Sequence, residues 1–320
     1  MRVVFIRGAN VDVKRTCAFA MEALRARKRM IDKKALCRQI AELAEKGLIQ
    51  VTAYDGQMLA GLLLLKTDGK DWEINPGVFG GHPLIAAGQD EARVYRFLLE
   101  GAEACAREHG ASGIQLTAIR RPDECGERAD HARYEDRGLS HVLSYVEMIC
   151  SVRQNIPDAL PLPEGYSFAP ITTLPREELY PVYRAAFLQG EARFFFLQDE
   201  AEQRDYFETL GWEEACQIPV SHMVMANESP VAFSLVLPFS ISSYHISCMC
   251  VHPAHQRRRL GEAMLVHILR SAAAADVPLI SLGTEPEMRA CCLYSKYGFE
   301  IRGGTSYYVK SFSMDPQPSG

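Results

Sequence analysis

The sequence contains no pattern typical of a metal-binding or membrane protein. Its ten cysteines include no C-x-x-C pair accompanied by a second ligand pair at zinc spacing, so we expect no metal site. No apolar run approaches roughly 18 residues, and the N-terminus lacks a charged segment followed by an apolar one. We therefore expect no membrane partner, reduced thiols and a cytoplasmic location.

An excess of positive charge is also missing. The chain of 320 residues carries a formal net charge of -5, with a pI near 6.0, which argues against a nucleic-acid partner. Hydrophobic residues make up 48% and charged residues 23% of the chain, as in ordinary globular proteins. The length allows two domains. We expect the protein to be a monomer or homodimer and its partner to be a small molecule.

A proline-rich stretch lies near the middle of the chain. Pro157, Pro161, Pro163 and Pro170 remove backbone donors and disfavour helix at the residues before them. This predicts domains over 1–151 and 166–313, a linker over 152–165 and a disordered tail over 314–320.

Each half ends in a similar pattern. Tyr134 is followed by Gly138 and Tyr294 by Gly298, and in both places an apolar residue opens a strand-like segment. A glycine with positive φ commonly ends a helix. The 160-residue offset between the two tyrosines therefore suggests an internal repeat.

The two halves also show the same order of predicted elements. In the first half, helices near 15–46 precede a hairpin with its turn at Asp55–Gly56, a helix near 91–108, a strand at 113–119 and a helix up to Gly138. In the second half, helices near 175–188 and 198–210 precede strands at 221–226, 231–237 and 244–251, a helix near 260–274, a strand at 278–282, a helix near 287–297 and strands to 311. Each half is thus predicted to be α/β with a mixed sheet.

The segment from Val251 to Leu265 carries the clearest functional signal, because it runs from a strand through a loop into a helix. Free N–H groups of a first helical turn, with Gly261 allowing close approach of a ligand, form a ready anion site. Arg257, Arg258 and Arg259 add positive charge suited to a diphosphate and a further phosphate.

This segment resembles the acetyl-CoA loop of the GNAT (GCN5-related N-acetyltransferase) superfamily, written [RQ]-x-x-G-x-[GA] after a strand ending in V-x-P. Gln256, Gly261 and Ala263 fall in register, whereas Arg259 stands where the family has its first glycine. The resemblance implies acetyl-CoA, or another acyl-CoA, as co-substrate. It implies a cofactor-binding set of Met249, Cys250, Val251, Gln256, Arg257, Arg258, Arg259, Leu260, Gly261, Glu262 and Glu287.

A second family feature follows at the expected distance. The stretch from Thr284 to Phe299 resembles the helix and strand N-x-x-A-x-x-L-Y-x-x-x-G-F, with Glu287 in place of the asparagine. The resemblance implies that the hydroxyl of Tyr294 lies near the cofactor sulfur and protonates the leaving thiolate. From composition alone, Tyr294 and Tyr297 fit equally well as core aromatics.

Strand alternation before the loop predicts that His245, Met249 and Val251 share one face. In the family, the backbone at positions matching Met249 and Val251 binds the thioester carbonyl and the pantetheine amide. The residue six before that valine often serves as general base. His245 occupies it, and an imidazole has a suitable pKa, although a structural histidine or a water relay remains an alternative.

The resemblance implies direct acyl transfer to an amine acceptor, and the acceptor is expected to be a small molecule. A covalent route through Cys248 or Cys250 is disfavoured, because alternation turns those thiols away from His245. Candidate acceptor-binding residues are Phe194, Phe196 and Glu285, each of which also fits a core or surface role. The alternative function is a non-catalytic acyl-CoA-binding regulatory module. A third interpretation is a tandem acyltransferase that makes a thiol or antibiotic conjugate, which only acceptor screening would distinguish.

The first half lacks an arginine-glycine loop before its helix near Glu91. Gly80–Gly81 could form a small anion nest, but a turn fits better. The expected fold is therefore α/β (α+β in some schemes) with two tandem GNAT-like domains, each a mixed, mainly antiparallel twisted sheet flanked by helices, of which the first is a degenerate copy.

Overall fold

A computed structural model describes residues 1–26, 32–67, 70–76, 78–120, 132, 134–154, 156–190 and 192–312. The predicted tail over 314–320 lies outside these residues. The chain forms two compact units, one of residues 1–143 with the segment from Thr305 onward, the other of residues 144–304. The first unit consists of two separate segments of the chain, unlike either predicted half. One strand carries the chain into the second unit, and another strand carries it back.

The first unit alternates strands and helices. Its strands are β1 (Arg2–Arg7), β2 (Ile49–Asp55), β3 (Met58–Lys66), β4 (Asp71–Ile74), β5 (Leu84–Ile85), β6 (Gly113–Arg120) and the start of β7 (Ser140–Ser151). Its helices are α1 (Val13–Ala26), α2 (Lys33–Glu45) and α3 (Glu91–Glu108). The sheet order is β1-β2-β3-β4-β6, with β5 beside β3, and only the β4–β6 pair is parallel among the pairings described within this unit.

The core of the first unit lies on both faces of its sheet. β3 reads as a run of leucines because its alternate side chains enter different clusters. Leu63 and Leu65 pack with α3, whereas Leu62 and Leu64 pack with α1 and α2. The predicted hairpin turn is present, since Gly56 has φ of 61° between β2 and β3.

The expectation that all thiols are reduced is wrong for one pair. Cys17 on α1 and Cys37 on α2 form a disulfide bond, with Cα atoms 5.8 Å apart. Their helices pack side by side, so two residues 20 apart in sequence meet. Sequence spacing alone could not show this contact.

The second unit contains the end of β7 followed by β8 (Tyr166–Pro170), β9 (His222–Ala226), β10 (Ser229–Ser240), β11 (Ser243–Val251), β12 (Leu279–Thr284) and the start of β13 (Glu300–Ser311). Its helices are α4 (Tyr180–Leu188), α5 (Arg193–Phe196), α6 (Glu200–Glu208), α7 (Trp212–Cys216), α8 (Leu260–Ala274) and α9 (Arg289–Lys296). The sheet order is β7-β12-β11-β10-β9-β8, with β11 and β12 parallel and the other pairs antiparallel.

Two helical layers cover this sheet. One buried cluster joins α8 to the sheet through Leu265, Ile268 and Leu269. On the opposite face, a second cluster gathers aromatic residues of α4 to α7, among them Tyr183, Phe195 and Phe207. The candidate site lies where β11 and β12 separate between these layers.

The predicted repeat has the same hydrogen bonds in both units. The backbone N–H of Leu139 donates to the carbonyl of Tyr134 at 3.1 Å, and that of Phe299 donates to Tyr294 at 3.2 Å. Gly138 and Gly298 adopt φ of 75° and 80°. The sequence echo therefore reflects the same helix-ending turn at matching places in the two units.

In the described part of the chain, no helix combines the length and the apolar character that crossing a membrane requires.

Candidate functional site

The loop between β11 and α8 presents a row of unused hydrogen-bond donors. Arg257 and Arg259 have left-handed backbones, with φ of 58° and 62°. Across the described residues, no acceptor meets the backbone N–H groups of residues 257–262. These donors lie at the N-terminus of a 15-residue helix, where the dipole adds positive potential. The loop therefore has the geometry of an anion site.

A groove of about 440 Å³ runs past this loop. The side chain of Gln256 holds the loop to the end of β11, since its Nε2 donates to the Val251 carbonyl at 3.1 Å. The groove is lined by Met249, Cys250, Val251, Gln256, Arg257, Arg259, Leu260, Gly261, Glu262, Arg289, Ala290, Leu293 and Tyr294. Of the predicted cofactor-binding set, Arg258 and Glu287 are exposed and lie outside this lining.

Glu262, in the first turn of α8, places a carboxylate at the edge of the groove. It accepts hydrogen bonds from Arg259 Nε at 2.7 Å, from the Tyr297 hydroxyl at 2.7 Å and from Lys296 Nζ. These bonds, that of Arg259 first, lower the pKa of Glu262 to about 2. Because two cations compensate its charge, Glu262 opposes an incoming anion little.

A second cavity, of about 110 Å³, opens where two strands part. β11 pairs with β12 only from Ser243 to Ile246, and the rest of β11 has no pairing with β12. The cavity is lined by Tyr145, Tyr183, Phe187, Phe194, Tyr206, Leu210, Ile246, Ser247, Cys248, Met249, Leu282, Gly283, Thr284, Glu285, Met288, Ala290 and Tyr294. Phe196 is 56% exposed and lies outside this lining, whereas Phe194 belongs to it.

Glu285 places a buried carboxylate in the wall of this cavity. It is only 2% exposed, and its two oxygens accept the backbone N–H groups of Arg193 at 3.1 Å and Phe194 at 3.0 Å. The side chain therefore fixes the start of α5 against the end of β12. It also gives the cavity negative charge.

The groove and the cavity meet at three residues. Met249, Ala290 and Tyr294 line both spaces. Burial raises the pKa of Tyr294 well above its ordinary value of 10.0, so its hydroxyl keeps its proton. A group that enters through the groove and a group that enters through the cavity therefore both reach the protonated hydroxyl of Tyr294 and the backbone of β11.

Strand β11 contains a bulge that the sequence pattern did not indicate. Pairing with β10 shifts register, since Leu235 lies opposite Cys248 but Val236 lies opposite Ile246. Ser247 is the additional residue, and its hydroxyl donates to the carbonyl of Leu210 at 2.8 Å. Alternation of side chains is therefore interrupted between Ile246 and Cys248.

The predicted common face for His245, Met249 and Val251 is consequently wrong. Met249 packs with the α8 cluster, whereas His245 Nδ1 hydrogen-bonds the hydroxyl of Ser281 at 2.9 Å on the opposite face of the sheet. His245 is half-buried and lies outside the lining of either space. Burial lowers its pKa below the ordinary 6.5, so the imidazole is neutral at pH 7.

The bulge also changes the argument about the two cysteines. Cys248 and Cys250 point to the same side of the sheet as His245, not away from it as alternation predicted. His245 nevertheless hydrogen-bonds Ser281 through Nδ1, and among the described residues it makes no side-chain hydrogen bond to either thiol. Burial raises the pKa of Cys250 well above 9.0, which makes its thiolate scarce. This geometry offers no activated cysteine nucleophile.

The matching position in the first unit is closed. Tyr134, which corresponds to Tyr294, is fully buried and hydrogen-bonds His82 Nδ1 at 2.7 Å and the Tyr95 hydroxyl at 2.8 Å. The turn Phe79–Gly81 lies directly on β6, so a Cβ at Gly81 would be 1.6 Å from the Thr117 carbonyl oxygen. The glycine pair thus forms a turn that packs closely against β6.

Most of the aromatic lining was not predicted from the sequence. Tyr145, Tyr183, Phe187 and Tyr206 come from β7, α4 and α6, and only the i, i+4 spacing of Tyr183 and Phe187 hinted at a shared face. Among the described residues, no group of three His, Cys, Asp or Glu side chains is arranged to hold a metal ion.

Comparisons with known proteins identify the second unit's fold. Residues 219–301 match the family model of the acetyltransferase (GNAT) domain, which confirms the sequence resemblance. The comparison with curated proteins gives no significant match.

Solved structures extend the likeness to the whole chain. A GNAT acetyltransferase from Sphaerobacter thermophilus has 15% identity and a TM-score of 0.61, over 96% of this chain and 95% of that one. A tandem GNAT protein from the clavulanic acid biosynthesis pathway has 14% identity and a TM-score of 0.56, over 98% and 100%. A glucosamine N-acetyltransferase region of a fungal β-N-acetylglucosaminidase has 15% identity and a TM-score of 0.59, over 97% and 38%. These likenesses confirm the predicted tandem GNAT fold.

Proposed function

We propose that this protein is an acyltransferase that moves an acetyl or other short acyl group from acyl-CoA to a small-molecule amine by direct transfer. One observation carries the proposal: the backbone N–H groups of 257 and 259–262, which have no partner among the described residues, belong to the lining of a groove that meets a second cavity at Met249 and Tyr294. An acyl-CoA with its diphosphate in the loop would extend its thioester to this point, where an amine in the cavity would meet it.

The residues of the second unit suit the parts of this reaction. The amides of 257–262, with Arg257 and Arg259, bind the diphosphate of the co-substrate. The backbone of Met249 polarises the thioester carbonyl. The new C–N bond forms as the C–S bond breaks, and Tyr294 donates its proton to the leaving sulfur.

His245 takes the amine proton through water in this proposal. His245 faces the side of the sheet that carries the cavity but lies outside the cavity lining. The proton therefore reaches it through water and not by direct contact with the amine. Its lowered pKa leaves the neutral, basic form dominant at neutral pH. We expect activity to fall on an acidic limb below pH 6.5 and this limb to be lost in His245→Gln. An unchanged limb in the variant would remove His245 from the mechanism.

Thiol release tests the activity itself. Acetyl-CoA incubated with the protein and a panel of amines should release CoA at a rate that depends on the amine. Tight binding of acetyl-CoA in calorimetry, without release for any amine, would instead favour a regulatory acyl-CoA-binding module. Absence of binding would overturn both.

The role of Tyr294 has a matched control. Tyr294→Phe should lower kcat by about 10- to 100-fold while leaving the Kd for CoA within about twofold. Tyr166→Phe removes a hydroxyl that bonds His255 at 3.0 Å outside both spaces, and it should leave kcat unchanged. Equal kcat values for the two variants would contradict the proton donation.

A further inference from the structure

The cavity beside the thioester position combines aromatic rings with a single charge. Among the described residues that line it, Glu285 is the one with a formal charge, and it is negative. A buried carboxylate in an otherwise neutral wall produces a strong local potential, because little solvent screens it. A cation is the ligand charge that this wall favours.

Phe194 is the centre of the ring cluster. Its ring centroid lies 5.6 Å from that of Phe187, 5.6 Å from that of Tyr206 and 6.1 Å from that of Tyr145. These residues come from α4, α5, α6 and β7, so four separate elements bring their rings to one space. Ring faces attract organic cations, most strongly where water is excluded.

Phe194 and Glu285 are also joined directly. The carboxylate of Glu285 accepts the backbone N–H of Phe194 at 3.0 Å, which fixes the charge beside the ring. Another polar group lies in the same wall, since the Tyr183 hydroxyl is buried and has no hydrogen-bond partner among the described residues. The cavity thus offers rings, one anion and one unpaired phenol.

From this arrangement we infer that the acceptor is a compact organic monocation, an amine that arrives protonated and carries an apolar body. The inference rests on the proposed acyl transfer and specifies its substrate class. A carboxylate on the acceptor would meet Glu285 at close range. A second ammonium group would find no counter-charge among the described lining residues. Amino acids and polyamines are therefore poor acceptors.

A binding experiment tests this class without relying on turnover. The probes are choline and its neutral isostere 3,3-dimethyl-1-butanol, titrated into the protein saturated with CoA. Choline should bind about tenfold or more tightly than the isostere, because only choline carries the charge that rings and carboxylate attract. Equal affinity, or no measurable binding of either probe, would overturn the inference.

Substitutions test which residues produce the preference for choline over its neutral isostere. Phe194→Leu keeps an apolar side chain but removes the central ring, and Glu285→Gln removes the charge while keeping an acceptor oxygen for the backbone. Each should reduce the preference for choline by about tenfold. Phe196→Leu changes the exposed ring two positions away and is the matched control. A loss of preference in Phe196→Leu equal to that in Phe194→Leu would contradict the assignment.

Failure of the inference is distinguishable from failure of the proposed function. Calorimetry with acetyl-CoA alone reports the groove and is independent of the acceptor cavity. Acetyl-CoA binding and amine-dependent thiol release, with spermidine or glutamate preferred over phenethylamine, would overturn only the acceptor class. Loss of acetyl-CoA binding would overturn the proposed function.

Discussion

Arg259 adopts a backbone conformation that suits glycine, and this gives the sharpest test of the loop geometry. Its φ and ψ are 62° and 15°, in the left-handed region. An L-residue with a Cβ pays about 1–2 kcal/mol there. The side chain is 64% exposed and pairs with Glu262, and the water around the guanidinium keeps the stabilisation from this ion pair small. Strain and ion pair therefore oppose each other at this position.

Comparing Arg259→Ala with Arg259→Gly separates these two effects. Both variants lose the ion pair, but only glycine relieves the strain. We expect Arg259→Gly to be more stable than Arg259→Ala by about 1 kcal/mol. At Arg258, which is exposed and has no positive φ, the order should reverse, with alanine better by about 0.5–1 kcal/mol.

The assay is thermal and urea unfolding followed by tryptophan fluorescence. Trp212 lies in the second unit, and a Trp72→Phe background removes the other tryptophan, in the first unit. One kcal/mol corresponds to about 2–4 °C in Tm for a domain of this size. An Arg259→Ala variant at least as stable as Arg259→Gly would refute the left-handed geometry of the loop.

The first unit and the groove give three further predictions. Gly81→Ala should destabilise the protein by at least about 3 kcal/mol in urea unfolding, because its Cβ would lie 1.6 Å from the Thr117 carbonyl oxygen; an effect below 1 kcal/mol would contradict the close contact. Replacing Cys17 and Cys37 by serine should cost about 3 kcal/mol under oxidising conditions, and alkylation should label both only after reduction; labelling without reductant would exclude the disulfide. The pKa of Glu262 is depressed to about 2, so its stabilising effect is complete above its unfolded pKa, near 4.5, and disappears as pH falls from there toward 2. Urea unfolding should show Glu262→Gln less stable than the parent at pH 6 and equal to it near pH 2.

The features predicted correctly from sequence are those fixed by short segments. The strand, loop and helix over 251–265, the helix-ending glycines and the order of strands and helices each depend on about ten neighbouring residues. Gly138 and Gly298 both take positive φ, as their position after a tyrosine-bearing helix indicates. The local sequence is enough to predict such features, because a positive φ disfavours most residue types other than glycine.

The features that sequence missed depend on partners far away in the chain. Cys17 and Cys37 meet only once two helices have packed. Phe194 and the rings around it come from four elements, and Tyr145 lies in a strand that the sequence analysis assigned to the other half of the chain. The return of the chain to the first unit at Thr305 is likewise not visible in the sequence, because the residues of a strand do not show which neighbouring strands it pairs with.

The bulge at Ser247 shows how one such non-local feature changes the chemistry assigned to a strand. Without it, His245 would point to the α8 side with Met249, away from the aromatic cavity in which we propose that the amine binds. With it, Met249 remains on the groove side while His245 turns to the side of the aromatic cavity. In the proposed reaction, the imidazole then acts from the cavity side of β11, whereas the carbonyl is polarised by the backbone of the strand itself. Under the proposed transfer, an amine in the cavity and the imidazole that takes its proton would therefore lie on the same side of the sheet.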